Sequence, residues 1–385
     1  MTSNNWVQTN GNEYRTSVSP FKFDKDTNNT VLTPNTNIID NSFGDGRMYS
    51  RLKKRYKPLV FSWKDALGKQ LYETYTPIMT IMKGKIANLV LHLDIKEEPQ
   101  KIVFEFNNSK APNFLQLSVS ELNSNLSVTT TTRKTHLLNI TCNGEFNDEY
   151  TLNARAFGKN DPKGEICGLL RILPNGQMYQ HRIKVAFIKV KTDINPTSVG
   201  NGNINTSSTD RLNYVLNQAL ILPEIDDKIE IDARGNTFNS QCCKYNSVSG
   251  KNEIAYEKYN ELYSFLSSKL DKKYENYYKI YYIEERCSES NNINYKGGYS
   301  FPATKEKSFK YTVCFKGYGD EVPIHELLHA LELAHTFDGY SRNTKFTYHP
   351  QTTDNIMDYS HLRPHSVDPV FIYHWQWQII NLKIK

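Results

Sequence analysis

No run of this sequence approaches the ~20 consecutive apolar residues that a membrane-crossing helix needs, so no membrane span is expected. The opening stretch, MTSNNWVQTNGNEYRTSV, has no apolar core, and a secretory leader of the standard kind is not expected either. Strong charge of one sign is also missing. A formal net charge of +6 over 385 residues is mild, and no nucleic-acid-binding motif accompanies it, so nucleic acid is not an expected partner. The one basic run, RLKKRYK at 51–57, reads as a solvated linker. The 6 cysteines (Cys142, Cys167, Cys242, Cys243, Cys287 and Cys314) show no C-x-x-C spacing, which removes support for a structural metal knuckle or a thioredoxin-type motif. Disulfides and buried free thiols both remain open.

What is present divides the chain into stretches of different period. Residues 1–57 are polar, rich in Asn, Thr and Gly, and without sustained periodicity, the composition of a poorly ordered leader. Within it, SFGDGR at 42–47 reads as a turn on Gly44-Asp45-Gly46. From 58 to 194 short apolar segments such as KIVFEF, NFLQLSVS, HLLNITC, YTLNARAF and HRIKVAFIKV alternate with Asn, Gly, Pro and Asp clusters. Period-2 patterns at this spacing predict an all-β, Ig-like sandwich, in one or more modules, for which binding or delivery is the default role. NPTSVGNGNINTSSTD reads as a linker, assigned to 195–208. From 209 to 385 the order helix, strand, helix, strands, helix predicts an α/β domain. Its first helix carries Leu212, Val215, Leu216, Ala219 and Leu220 on one face, with Ser208, Thr209 or Asp210 as its cap. DPVFIYHWQWQII predicts a terminal helix begun by Asp368-Pro369.

The chemistry concentrates in PIHELLHALELAHTF at 323–337. Residues four apart on a helix stand one turn above each other, so His325 and His329 can present nitrogens to one metal ion at ~2.0–2.1 Å. Glu326, beside the first of them, is placed to act as general base toward a metal-activated water. The flanking Ile324, Leu327, Leu328, Ala330 and Leu331 predict a buried helix, where imidazoles and a carboxylate without a metal would be costly. A third ligand is needed. After Glu332 the sequence contains no glutamate, and Glu332 itself stands a further ~4.5 Å along the axis, which strains binding from a single helix. That leaves His335, which on a straight helix would lie ~15 Å from His325 and point elsewhere. The helix must therefore break near 331–333 and swing back. His349, His361, His365 and His374 read as solvated or supporting side chains.

HELLHALELAHTF resembles the metzincin zinc signature H-E-x-x-H-x-x-G-x-x-H, and DNIMDYS at 354–360 resembles the Met-turn of that clan. The pairing of HTF with N-x-M-D-Y is most similar to the pappalysin-like branch. The resemblance runs over about 209–385 in element order and about twenty residues in letters. It implies a metzincin-like zinc metallopeptidase domain with His325, His329 and His335 as ligands and Glu326 as base. It further implies Met357 as hydrophobic floor and Tyr359 as stabiliser of the oxyanion. One Zn²⁺ is the implied cofactor, an extended polypeptide the implied substrate, and the segment FKYTVCFKG, with Val313, Cys314 and Phe315, the implied edge strand that aligns it. Glu332 departs from the signature's glycine, whose left-handed backbone costs another residue roughly 1–2 kcal/mol. Structural zinc contributes on the order of 10 kcal/mol, enough to absorb that cost. Calcium is left open, since Asp338 and Asp354 form no loop motif.

The expectation from the sequence is thus a multidomain chain, β-sandwich then α/β protease, acting as a zinc-dependent endopeptidase. Without an export leader, it would be extracellular or delivered into a target cell by another route, or cytoplasmic. A decayed zinc fold that only binds, or a β-rich half that docks on a secretion or injection apparatus, are the alternatives.

Overall fold

The computed structural model describes residues 2–8, 24–25, 31–32, 59–65, 68–74, 76–95, 98–107, 112–123, 126–127, 134–158, 162–195, 198–291, 293–301, 310–338, 355–359 and 372–384. The turn at Gly44–Gly46, the basic run 51–57, His349, Asp354, His361, His365 and the Asp368-Pro369 helix start lie outside them. The chain separates into two compact units. One comprises Met1–Gln180, Asn217–Leu220 and His335–Trp377; the other comprises His181–Leu216, Ile221–Ala334 and Gln378–Lys385.

The first unit is built on strands β1 (Thr2–Gln8), β2 (Ile78–Met79), β3 (Ile86–Asp94), β4 (Lys101–Phe106), β5 (Leu115–Leu117), β6 (Glu121–Leu122), β7 (Lys134–Cys142), β8 (Tyr150–Phe157) and β9 (Glu165–Ile172). They form a four-stranded sheet in the order β1-β3-β7-β5 and a five-stranded sheet in the order β6-β4-β8-β9-β2. The alternation predicted from sequence is what joins them. In β4, Ile102, Phe104 and Phe106 turn inward while Lys101, Val103 and Glu105 stay half-buried. They share one core with Leu89, Leu91 and Leu93 of β3, Leu138 and Ile140 of β7, and Leu152 and Leu170. Each fully buried Leu or Ile there contributes about 1.5–3 kcal/mol relative to exposure.

The second unit is α/β in layout. Strands β10 (His181–Asn195), β11 (Ser198–Asn201), β12 (Ile221–Asp232), β13 (Tyr278–Ile283), β14 (Gly298–Phe301) and β15 (Tyr311–Cys314) make a six-stranded sheet. β10 runs parallel to β12 on one side and to β13 on the other, and β13 runs parallel to β15. β14 closes the sheet as an antiparallel edge beside β15. Besides a short helix at Asn236–Cys242, the helices are α1 (Thr206–Gln218), α2 (Tyr259–Ser268), α3 (Val322–Ala330) and α4 (His374–Ile384), the last shared between the units.

Three expectations are corrected here. HRIKVAFIKV does not belong to the β-rich module at 58–194. It is β10, and Val185, Ala186, Phe187 and Ile188 are all fully buried, as a strand covered on both faces in a parallel sheet must be. The stretch 195–208 is not a free linker: β11 within it pairs antiparallel with β10, and α1 already begins at Thr206. The start of α1 is held by the Asn205 side chain, whose Oδ1 accepts from the Ser207 amide at 3.2 Å, three residues before Ser208, the first of the caps expected from sequence.

All 6 cysteines are buried free thiols. Cys243 and Cys287 sit opposite Ile254 on either side of one strand, two strand spacings or ~9.5 Å apart, beyond disulfide reach. Burial pushes the Cys242, Cys243 and Cys287 thiols up to about 12, so none is a poised nucleophile.

Candidate metal centre

Helix α3 starts with Pro323 in its first turn, where the missing amide donor costs nothing, and it buries Ile324, His325, Leu327, Leu328 and Ala330. The spacing of four brings the Nε2 atoms of His325 and His329 to 3.1 Å. Two ligands of a tetrahedral ion at ~2.0–2.1 Å would stand ~3.3 Å apart, close to that value.

The helix then stops by a Schellman motif. The Glu332 amide donates to His329 O at 2.8 Å and the Leu333 amide donates to Leu328 O at 2.9 Å, the 5→2 and 6→1 bonds of that cap. Leu328 and Leu333, the positions at which that motif commonly makes an apolar contact, are both buried. The motif requires a left-handed residue, and Glu332 adopts it with φ 67°. The missing glycine therefore leaves the break in place and is felt as strain. Glu332→Gly exchanges ~1–2 kcal/mol of left-handed cost for the extra unfolded-state entropy of glycine, a net gain of about 0.5–1 kcal/mol expected in urea unfolding.

After the cap the chain returns. One nitrogen each from His325, His329 and His335 lie within 4.8 Å of one another, a group that could hold a metal ion. The donor chemistry fits a metal. His329 Nδ1 lies 2.7 Å from Leu333 O and His335 Nδ1 lies 3.0 Å from Asp338 Oδ2. A carbonyl and a carboxylate only accept, so both rings carry their proton on Nδ1 and keep Nε2 as the basic nitrogen, the tautomer a metal ligand needs. Asp338, weighed from sequence for calcium, is thereby engaged with His335.

Glu326 is half-buried at the residue level, but its carboxyl is pushed up to about 7, first by loss of hydration. A hydrogen bond from the Ser300 side chain and the charge of Lys296 pull the other way. A bound divalent cation would lower it further. Ser300 belongs to β14, and α3 lies against β14 and β15 because Gly298 has no side chain. A Cβ there would meet Val322 Cγ1 at 2.6 Å, Val313 O at 3.0 Å and Glu326 Cγ at 3.1 Å. Gly298→Ala is expected to cost about 1–3 kcal/mol in thermal or urea unfolding through this overpacking.

Around His335, Phe337 stacks on the ring at 4.8 Å with the planes 7° apart, and Tyr359 meets it edge-on at 5.0 Å. Met357 is fully buried, and its carbonyl accepts from the Thr336 amide at 3.0 Å. The turn 355–358 is shaped by Asn355. Its Oδ1 accepts from the Met357 amide at 2.9 Å and its carbonyl accepts from the Asp358 amide at 3.0 Å, while its Nδ2 donates to Gln376 Oε1 at 2.7 Å.

Val313, Cys314 and Phe315 are corrected as substrate contacts. All three are fully buried, and β15 is paired on both sides, by β13 and β14. Among the described residues, the outermost strand on that side of the sheet is β14. Sequence reading also missed Gly298, Ser300 and Gln376, which carry no motif because each acts on residues distant in the chain.

No family model matches this chain. No curated protein matches it either. Among solved structures it is similar to a chaperone–tip adhesin complex described for CFA/I fimbriae biogenesis, at 12% identity and TM-score 0.19, covering 33% of this chain and 63% of that one. The class 5 fimbriae chaperone CfaA gives 14% identity and TM-score 0.19 over the same shares. A Bacteroides ovatus GH5 xyloglucanase gives 10% identity and TM-score 0.16, covering 53% of this chain and 43% of that one. The chain thus spans less than two thirds of each of these relatives, and likeness of this degree carries no argument about fold or activity. Among the described residues, no helix is long and apolar enough to cross a membrane.

Proposed function

We propose that this chain is a zinc-dependent endopeptidase of the metzincin type, with His325, His329 and His335 holding the ion and Glu326 as its general base. The observation that supports the reading most is the convergence of three histidine nitrogens within 4.8 Å, with Glu326 on the same buried helix as the first two. Three imidazoles with a fourth position open are the donor set of a catalytic rather than a structural zinc site.

When bound, zinc supplies the Lewis-acid charge that makes water nucleophilic near neutral pH and polarises a peptide carbonyl. Glu326 takes the proton that the attacking water gives up and returns it to the departing amine, so that one peptide bond yields one carboxylate and one amine. Ser300, donating to Glu326, restrains the carboxylate during both transfers. Tyr359, whose ring rests on His335, is the candidate hydroxyl donor to the developing oxyanion. Among the described residues β14 pairs with β15 alone, so its outer edge suits an extended peptide added as a further strand.

The test is a diverse peptide pool read by mass spectrometry with the purified chain, a chelator and added zinc. Cleavage that stops with the chelator and returns with zinc is the expected result. Absence of any cleavage by protein carrying one zinc per chain would sink the reading.

A further inference from the structure

Two of the three candidate ligands take their backbone placement from a helix, and the ring of one of them, His329, lies against Leu333 O. His325 and His329 stand on successive turns of α3, and the helix fixes where they point. His335 has no such support. It follows the left-handed residue Glu332 and belongs to no helix or strand, so its backbone and its ring must both be held by contacts.

We propose that Asp338 is the positioning residue of this third histidine, acting as a carboxylate clip on both its backbone and its ring. A single oxygen, Asp338 Oδ2, accepts from the His335 backbone amide at 3.1 Å and from His335 Nδ1 at 3.0 Å. Two donors of one residue on one acceptor atom fix the ring relative to its own backbone. A flip of the ring would remove Nδ1–H from the carboxylate and take Nε2 away from the position it now holds. The reverse bond, from the Asp338 amide to His335 O at 3.3 Å, closes the turn that carries the clip. Phe337 against the face and Tyr359 against the edge narrow the remaining rotation. The clip also selects the Nδ1–H tautomer, since a carboxylate oxygen accepts from that nitrogen, and so leaves Nε2 as the nitrogen with a free lone pair. Asp338 does this from a side chain that is 42% exposed, so its removal opens no core.

The proposal rests on the metal-site reading above, and its test separates the two. Full-length wild type, D338A, D338N and H335A are stripped of metal and titrated with cobalt(II), read by visible absorption, with zinc competition for affinity. In the metal-free proteins the His335 tautomer is read from ¹⁵N ring shifts. D338A is expected to bind cobalt about 10–100-fold more weakly than wild type and to lose the uniform Nδ1–H signature. D338N, whose amide oxygen still accepts both bonds, is expected to stay within about 3-fold of wild type on the same reasoning. Wild-type affinity and tautomer in D338A would overturn the proposal. So would a D338N as weak as D338A, which would make the role one of charge, or an affinity loss in D338A that only follows a fall in metal-free thermal midpoint. Equal affinity in wild type and H335A would end the metal-site reading itself, with this proposal; a weakened H335A beside an unchanged D338A ends this proposal alone.

Discussion

Glu326→Gln is expected to lower peptide cleavage by about 10²–10⁴-fold while the chain keeps its metal, the usual size of a general acid–base contribution. The substitution preserves the shape of the side chain and its capacity to accept from Ser300, and removes the group that takes up a proton. Its Cγ lies in the narrow space above Gly298, so an isosteric change leaves the α3–β14 contact as it is. The comparison to make is kcat/KM for wild type and E326Q on the peptides that wild type cuts, with zinc content measured on both. Retained cleavage in E326Q at full zinc occupancy would remove Glu326 as the base. Loss of cleavage together with loss of zinc would instead give it a structural share in the metal site. Ser300→Ala, tested beside it, separates the base from the group that restrains it.

Removal of the metal, by chelator or by His325→Ala, is expected to lower the thermal midpoint on the order of 10 °C. Zinc at 1,000 times its dissociation constant stabilises the native state by ~4 kcal/mol, and each kcal/mol is worth ~2–4 °C in a unit of 150–250 residues. The physical reason lies in the end of α3. The left-handed Glu332 is held by the Schellman bonds and by the ring of His329 on Leu333 O. A metal that ties His335 to the two helical histidines would add a further closure to the same turn. Calorimetry of wild type with and without chelator measures the shift directly. An unchanged midpoint, with zinc shown to be bound beforehand, would mean that the ion stabilises neither the turn nor the fold around it. Glu332→Gly should narrow the gap, because less strain remains for the ion to offset.

How much of this was legible follows the range of the interaction concerned. His325 and His329 meet because an α-helix repeats every 3.6 residues, a local rule that the letters H-E-x-x-H express completely. The break before His335 was legible too, from the distance a straight helix would impose, and the structure supplies its device, an αL glutamate in a Schellman cap. The face of β4 toward the core was fixed by alternation alone.

Strand neighbours were not legible. β15 was the edge strand that the resemblance implied, and it lies inside the sheet, because β14, a short segment with little pattern of its own, pairs Ser300 with Thr312 and Tyr299 with Val313. β10 looked like one more sandwich strand, since an apolar run reads alike whether buried on one face or two. Only its pairing with β12 and β13 assigns it to the second unit. Asn355 and Gln376, 21 residues apart, meet by a side-chain bond that no periodicity announces. The sequence by itself determined that His325, Glu326 and His329 share one helix and that the chain must turn before His335, since these rest on the helical repeat between residues a few places apart. The tertiary structure alone decided which strand lies outside β15, where the units divide, what restrains Glu326 and that Asn355 meets Gln376, since these rest on contacts between residues that are close only after folding.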